Sequence, residues 1–240
     1  MIPRLYVAGH WTAGETIALP TDRAHYLRDV LRLGAGDELR LFNEERGEWS
    51  ATLVKVLKKS VEVEATSLIR PPVPMEDMWL VFAPIKRSNL EWMVEKATEL
   101  GANRLVPAIT DHTQGRHLNE ERLAAIATEA AEQCERLSVP GLAPTQKLID
   151  LLMRGWPQDR KLFACIERAD ALPLASALAQ HTLKQGAVLI GPEGGFSDAE
   201  KTMLAKLPFV VPVSLGQTIL RAETAALAAL ATWQQHLATK

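Results

Sequence analysis

From residue 79 onward the chain alternates short, continuously apolar runs with amphipathic helical stretches, and this alternation constrains the fold most. The run 79–83 (WLVFA) reads as a strand buried on both faces. In the following 88–101 (SNLEWMVEKATELG), Leu90, Met93, Val94, Ala97 and Leu100 recur at helical spacing, and Gly101 suits the residue just past a helix end. The pattern continues with strand 104–109, helix 121–137, strand 161–166 and helix 172–183. Strand 187–191, helix 197–207, strand 209–215 and helix 223–237 complete it. Five such alternations argue for α/β architecture, a parallel sheet with helices on both faces.

Upstream the period changes. Segments 38–42 (ELRLF) and 60–64 (SVEVE) alternate apolar and polar residues, as half-buried strands do. One helix is expected between Thr21 and Leu33, with Leu27, Val30 and Leu31 on one face. Residues 1–70 thus read as a small, mostly β barrel or sandwich. The prolines of 71–74 (PPVP) form a stiff, extended linker, and residues 75–240 form a second domain.

Composition narrows the class. The 240 residues carry 47% hydrophobic side chains and no apolar run long enough to span a membrane. No secretory signal is read at the start, which predicts a cytoplasmic protein. Cys134 and Cys165 lack metal-ligand spacing and are expected to be buried, reduced thiols; no metal site is expected. A net charge of −2 provides no global attraction to nucleic acid, so basic surface must be local.

Ligands of such sheets bind beyond the carboxyl ends of the strands, where two loops stand out. The first is 190–200 (IGPEGGFSDAE). It lacks the Gly-Lys-Ser/Thr of a P-loop and the spacing of a dinucleotide turn. Glu193 would repel phosphate, so a neutral or cationic ligand fits better. Its glycines read either as a tight turn or as close approach to a ligand. Ser197 and Glu200 match a capping box, and Phe196 reads as a packing residue. The second loop, 214–224 (SLGQTILRAET), combines Gly216 with the apolar Ile219 and Leu220, suiting the flat face of an adenine. Arg221 opens a helix, where the dipole disfavours a cation. It serves either a salt bridge to Glu223 or Glu193, or a developing negative charge.

The pair GPEGGFSDAE and LGQTILRAETAALAAL resembles the SPOUT superfamily of S-adenosylmethionine-dependent RNA methyltransferases. Within it, 25–37, 86–110 and 121–140 resemble the RsmE family, which methylates N3 of a uridine in small-subunit ribosomal RNA. Alternation alone predicts an unknotted doubly wound sheet. The resemblance implies instead a trefoil-knotted one, a PUA-like RNA-binding barrel before it, and a homodimer. It also implies S-adenosylmethionine clamped by three loops: Ile166 and Glu167; Ile190, Gly191, Pro192, Glu193, Gly194 and Gly195; and Leu215, Gly216, Ile219 and Leu220. Arg221 is the expected catalytic cation. Glu223 is the nearest candidate base, with helix stabilisation as its other role. Arg23, His25, Arg28, Arg32, Lys86, Arg87 and Arg116 are candidate RNA contacts. The substrate would be small-subunit ribosomal RNA, in the assembled subunit. A SPOUT enzyme with a ribose 2′-O target, or a non-catalytic ribosome-assembly protein, stays open.

Overall fold

The computed structural model describes residues 2–57, 60–74, 77–114, 118–166, 171–181 and 185–238. The chain divides into two compact units, Met1–Pro74 with Ala131–Val139, and Met75–Ala130 with Pro140–Lys240. Residues 131–139 thus pack with the first unit although the sequence places them inside the second segment.

The first unit is a curled five-stranded sheet of β1 (Arg4–Tyr6), β2 (Thr16–Leu19), β3 (Glu38–Asn43), β4 (Gly47–Val56) and β5 (Val61–Arg70), in the order β1-β3-β4-β5-β2. Register shifts between β4 and β5 bend the pair. The period of two is realised: Leu39 and Leu41, then Val61, Val63 and Ala65, are fully buried in a core shared with Trp11 and Leu27.

Charge is buried here as well. Glu48 is fully enclosed, receives Arg4 Nε at 2.7 Å and pairs with Arg70. Burial pushes its pKa upward, but the hydrogen bonds from Arg4 and Arg70 outweigh this and hold it below the usual carboxylate range. Arg4 also donates to the carbonyls of Ala131 and Glu132 at 3.1 and 2.8 Å.

The expected helix over 21–33 is corrected. A short α1 (Thr21–His25) runs into a π turn at Tyr26–Val30. The wider turn shifts the phase: Leu27 is buried but Val30 is 59% exposed. Arg32 lies beyond the helix at φ +58°.

The second unit holds five parallel strands among the described residues, with two short ones at one edge. They are β6 (Asp77–Phe82), β7 (Arg104–Ile109), β8 (Gly141–Leu142), β9 (Gln146–Lys147), β10 (Lys161–Cys165), β11 (Gln185–Ile190) and β12 (Val210–Val213). The order is β12-β10-β11-β6-β7-β8, with β9 against the far end of β7. The apolar runs behave as expected, with Leu80, Val81, Phe82, Val188 and Leu189 fully buried. Flanking helices are α2 (Arg87–Glu99), α3 (Glu120–Gln133), α4 (Leu148–Arg154), α5 (Leu174–Ala179), α6 (Asp198–Lys206) and α7 (Ala222–Ala238).

Several expectations need correction. Helix 121–137 stops at Gln133, and Glu135 takes φ +59°, incompatible with continuation. Helix 172–183 is shortened to α5, which begins after Pro173. The segment holding β8, β9 and α4, with Leu148, Leu151 and Leu152 buried, lies outside the alternation read along the chain. Cys134 is exposed rather than buried. The Cys165 thiol is desolvated, its pKa pushed up to about 12.

Candidate active site

Three strand ends lie side by side. Cys165 at the end of β10 pairs with Val213 of β12 on one side and Ile190 of β11 on the other. The loops that follow therefore leave one carboxyl edge at neighbouring strand spacings of ~5 Å. Ile190 in turn pairs with Phe82 of β6, so the segment after β6 leaves the same edge.

In the loop after β11, Ile190 has its side chain in the core and its carbonyl on Ala83 N at 2.9 Å, so it anchors the turn. Gly195 N closes on Pro192 O at 2.9 Å, and Gly195 holds φ +67°, a conformation that glycine adopts without strain. A Cβ on Gly191 would sit 3.0 Å from the buried ring of Phe196, which packs in the core. Glu193 is exposed. The capping box forms: Ser197 Oγ accepts from Glu200 N at 3.2 Å, and Ser197 N donates to Glu200 Oε2 at 2.9 Å.

Residues after β7 brace this turn, and local sequence pattern did not reveal them. His112 Nδ1 lies 3.0 Å from Gly194 O and 3.1 Å from Gly195 O. Asp111 N donates to Glu200 Oε1 at 2.9 Å, and Asp111 Oδ2 accepts from Ser197 Oγ at 2.6 Å. The one available signal was the polar cluster TDHT at a strand's carboxyl end.

In the loop after β12, the Ser214 backbone bonds to Leu172 O and Leu174 N at 2.9 and 3.0 Å, tying the loop to the start of α5. Gly216 takes φ +128°. Leu215 and Leu220 are half-buried, and Ile219 is 55% exposed, so the loop presents apolar surface. Ile166 is partly buried against the core. Glu167 lies outside the described residues.

Arg221 is exposed, and its carbonyl accepts from Ala225 N at 2.8 Å, the first bond of α7. Neither anticipated salt bridge, to Glu223 or Glu193, forms among the described residues. Glu223 is instead held by Asn89 of α2, which sequence reasoning missed: Asn89 Nδ2 donates to Glu223 Oε1 at 2.9 Å. Glu223 Oε2 is buried with no partner among the described residues.

A groove of about 1140 Å³ opens beyond β6 and β7. Lys86 and Arg87 line it together with Glu193, Gln114 and Arg122. The fold thus brings two candidate RNA contacts beside the glycine turn. Arg87 is also paired with Glu91 at 2.8 Å. Arg116 lies outside the described residues.

The remaining candidates belong to the first unit. Arg23 is committed to Glu132 at 2.9 Å, which leaves it less available than its spacing suggested. His25 faces Asp29 at 3.3 Å, and Arg28 Nε donates to Asp29 at 2.7 Å. The helical row of arginines is broken, since Arg32 has left the helix.

Residues 71–234 match the family profile of an RNA methyltransferase domain, and residues 19–66 that of an RNA methyltransferase PUA domain. Ribosomal RNA small subunit methyltransferase E of Rickettsia conorii is 34% identical over 232 residues, 95% of this chain and 93% of the relative. A putative methyltransferase of Legionella pneumophila, solved with its cofactor S-adenosylmethionine, superposes with TM-score 0.84 at 30% identity, covering 98% of each chain. A ribosomal RNA small subunit methyltransferase E from Neisseria gonorrhoeae, solved with S-adenosylmethionine, gives TM-score 0.85 at 26% identity over 98% of each chain. The chain belongs to the ribosomal RNA small subunit methyltransferase E family of RNA methyltransferases.

Proposed function

We propose that this enzyme uses S-adenosylmethionine to methylate N3 of a uridine in small-subunit ribosomal RNA. The observation that carries the proposal is that the ends of β10, β11 and β12 lie side by side at one sheet edge, with the glycine turn following β11 and the loop to Arg221, exposed, following β12.

The residues fit the cofactor. The glycine turn carries Glu193 and no lysine, which disfavours phosphate and suits a cationic sulfonium. Leu215, Ile219 and Leu220 offer apolar surface for an adenine, while the turns of Gly191–Gly195 and Gly216 allow backbone contact. When bound, the cofactor supplies an electrophilic methyl group.

The protein's task lies with the nucleophile. Uridine N3 is an imide N–H, protonated at neutral pH, and its proton must leave before N3 can attack. Negative charge then spreads over the flanking carbonyl oxygens, where the Arg221 guanidinium stabilises it. Glu223 is the candidate proton acceptor, oriented by Asn89. Holding the two reactants in line can supply a further ~7–11 kcal/mol.

The groove beside Lys86 and Arg87 receives the RNA, and the PUA domain contributes Arg28, Arg32 and His25 as further contacts. Two copies pair through the small side chains of α7, where Ala225, Ala228 and Ala231 stay half-exposed. A ribosomal substrate is consistent with work in the cytoplasm, and the net charge of −2 favours the structured subunit over free RNA as the substrate. No helix among the described residues is long and apolar enough to cross a membrane.

Incubation with labelled methyl donor and unmodified small subunits, followed by nucleoside mass spectrometry, tests the reading. Label in 3-methyluridine is expected; label in a 2′-O-methylated nucleoside overturns the assigned target.

A further inference from the structure

We infer that His112 is a positioning residue for the turn that holds the cofactor. Its Nδ1–H clamps the carbonyls of Gly194 and Gly195 and so sets the two peptide planes of that turn. The inference rests on the reading that Gly191–Gly195 contacts S-adenosylmethionine.

The chemistry of the contact assigns the proton. Nδ1 lies 3.0 and 3.1 Å from two carbonyl oxygens, and a carbonyl can only accept. Nδ1 therefore carries hydrogen whether the ring is neutral or protonated. Both acceptors belong to consecutive peptides. A trans peptide directs its N–H opposite to its C=O, so fixing these oxygens on His112 turns the amides of Gly195 and Phe196 away from it. The Gly195 amide then meets Pro192 O at 2.9 Å and closes the turn.

An external clamp is needed because two adjacent glycines leave this backbone with unusual freedom. The fit is close: a Cβ on Gly194 would lie 3.2 Å from His112 Cβ. His112 itself stands on a braced segment. Thr110 N donates to Thr113 Oγ1 at 2.9 Å, and Asp111 is bonded to both Glu200 and Ser197 of the capping box. Thr113 and Glu200 are 7% and 8% exposed, so the brace is shielded from water. His112 is exposed, and replacing it removes little core packing.

Calorimetric titration of the full chain with S-adenosylmethionine, with thermal melting alongside, tests this. His112→Ala is expected to bind about tenfold more weakly, because the freed turn must then be ordered on binding, with the melting temperature lowered by no more than about 4 °C because the lost contacts are exposed. His112→Asn, whose amide nitrogen stands near the Nδ1 position, restores binding to within about threefold. His112→Gln, whose nitrogen reaches toward the Nε2 position, does not. Gly194→Ala weakens binding by crowding the same contact, and the double variant with His112→Ala is less than additive. Wild-type affinity in His112→Ala, equal failure of Asn and Gln, or strict additivity overturns the clamp while leaving the cofactor reading intact. Absence of binding in the wild-type chain overturns the cofactor reading, and the clamp with it.

Discussion

Asn89 of α2 donates its side-chain amide to Glu223 Oε1 at 2.9 Å, across 134 residues of sequence, and fixes the carboxylate in the first turn of α7. The other oxygen, Oε2, is buried without a partner among the described residues. Losing the amide leaves a shielded carboxylate with less compensation, at a cost of about 1–3 kcal/mol. Asn89→Ala should melt lower than wild type by that margin. Asn89→Asp should be worse, because it sets two carboxylates together. Equal melting of all three by calorimetry would remove the contact from the account.

In the proposed mechanism Arg221 acts on charge that develops during reaction, not on the resting cofactor. Arg221→Ala should therefore keep S-adenosylmethionine affinity within about twofold while methyl transfer to small subunits falls about 100-fold, equivalent to ~3 kcal/mol. Single-turnover transfer and calorimetric binding on the same preparation separate the two. A matched loss in both would make Arg221 a cofactor ligand.

Lys86 and Arg87 border the groove and, as phosphate partners, should contribute to the salt dependence of RNA binding. Replacing both with alanine should reduce the slope of log K against log[salt] by about 0.7–0.9 for each cation withdrawn from a phosphate. An unchanged slope would move the RNA elsewhere.

Glu48 gives a pH signature. Its carboxyl is held below the ordinary 4.5 by Arg4 and Arg70 despite burial. The folded state therefore binds this proton less readily than the unfolded chain. The stabilisation is complete above about pH 4.5 and is lost as pH falls through the lower folded value. Glu48→Gln should cost ~3 kcal/mol near neutral pH, and its deficit should shrink below about pH 4.5. A deficit independent of pH, measured by denaturant titration, would contradict this.

The two thiols should differ in reactivity. Cys134 is exposed, whereas burial pushes Cys165 up to about 12 and keeps it neutral. Ellman's reagent should count one fast thiol in the native protein and two in guanidinium. Rapid reaction of both in the native state would show that the end of β10 opens.

Much of this is readable along the chain because the relevant physics is local. The apolar runs that form β6, β7, β10 and β11 need only burial on both faces, and the Ser197–Glu200 box only three residues of spacing. The glycine turn and the Ile219–Leu220 loop stand out because glycine and exposed apolar side chains have few other uses at a strand's carboxyl end. Where the local rule is incomplete, the reading drifts: a π turn in place of a regular helix moves Val30 and Arg32 off the expected face. The strand order, with β12 outside β10 and β11 between β10 and β6, depends on which hydrogen-bonding edges meet after the chain has folded. Alternation of strand and helix is the same for many orders. The partners that complete the candidate site, Asn89 for Glu223 and His112 for the Gly194–Gly195 turn, lie 134 and 82 residues away. No periodicity spans such a separation, and only the packed sheet brings those atoms within hydrogen-bonding reach.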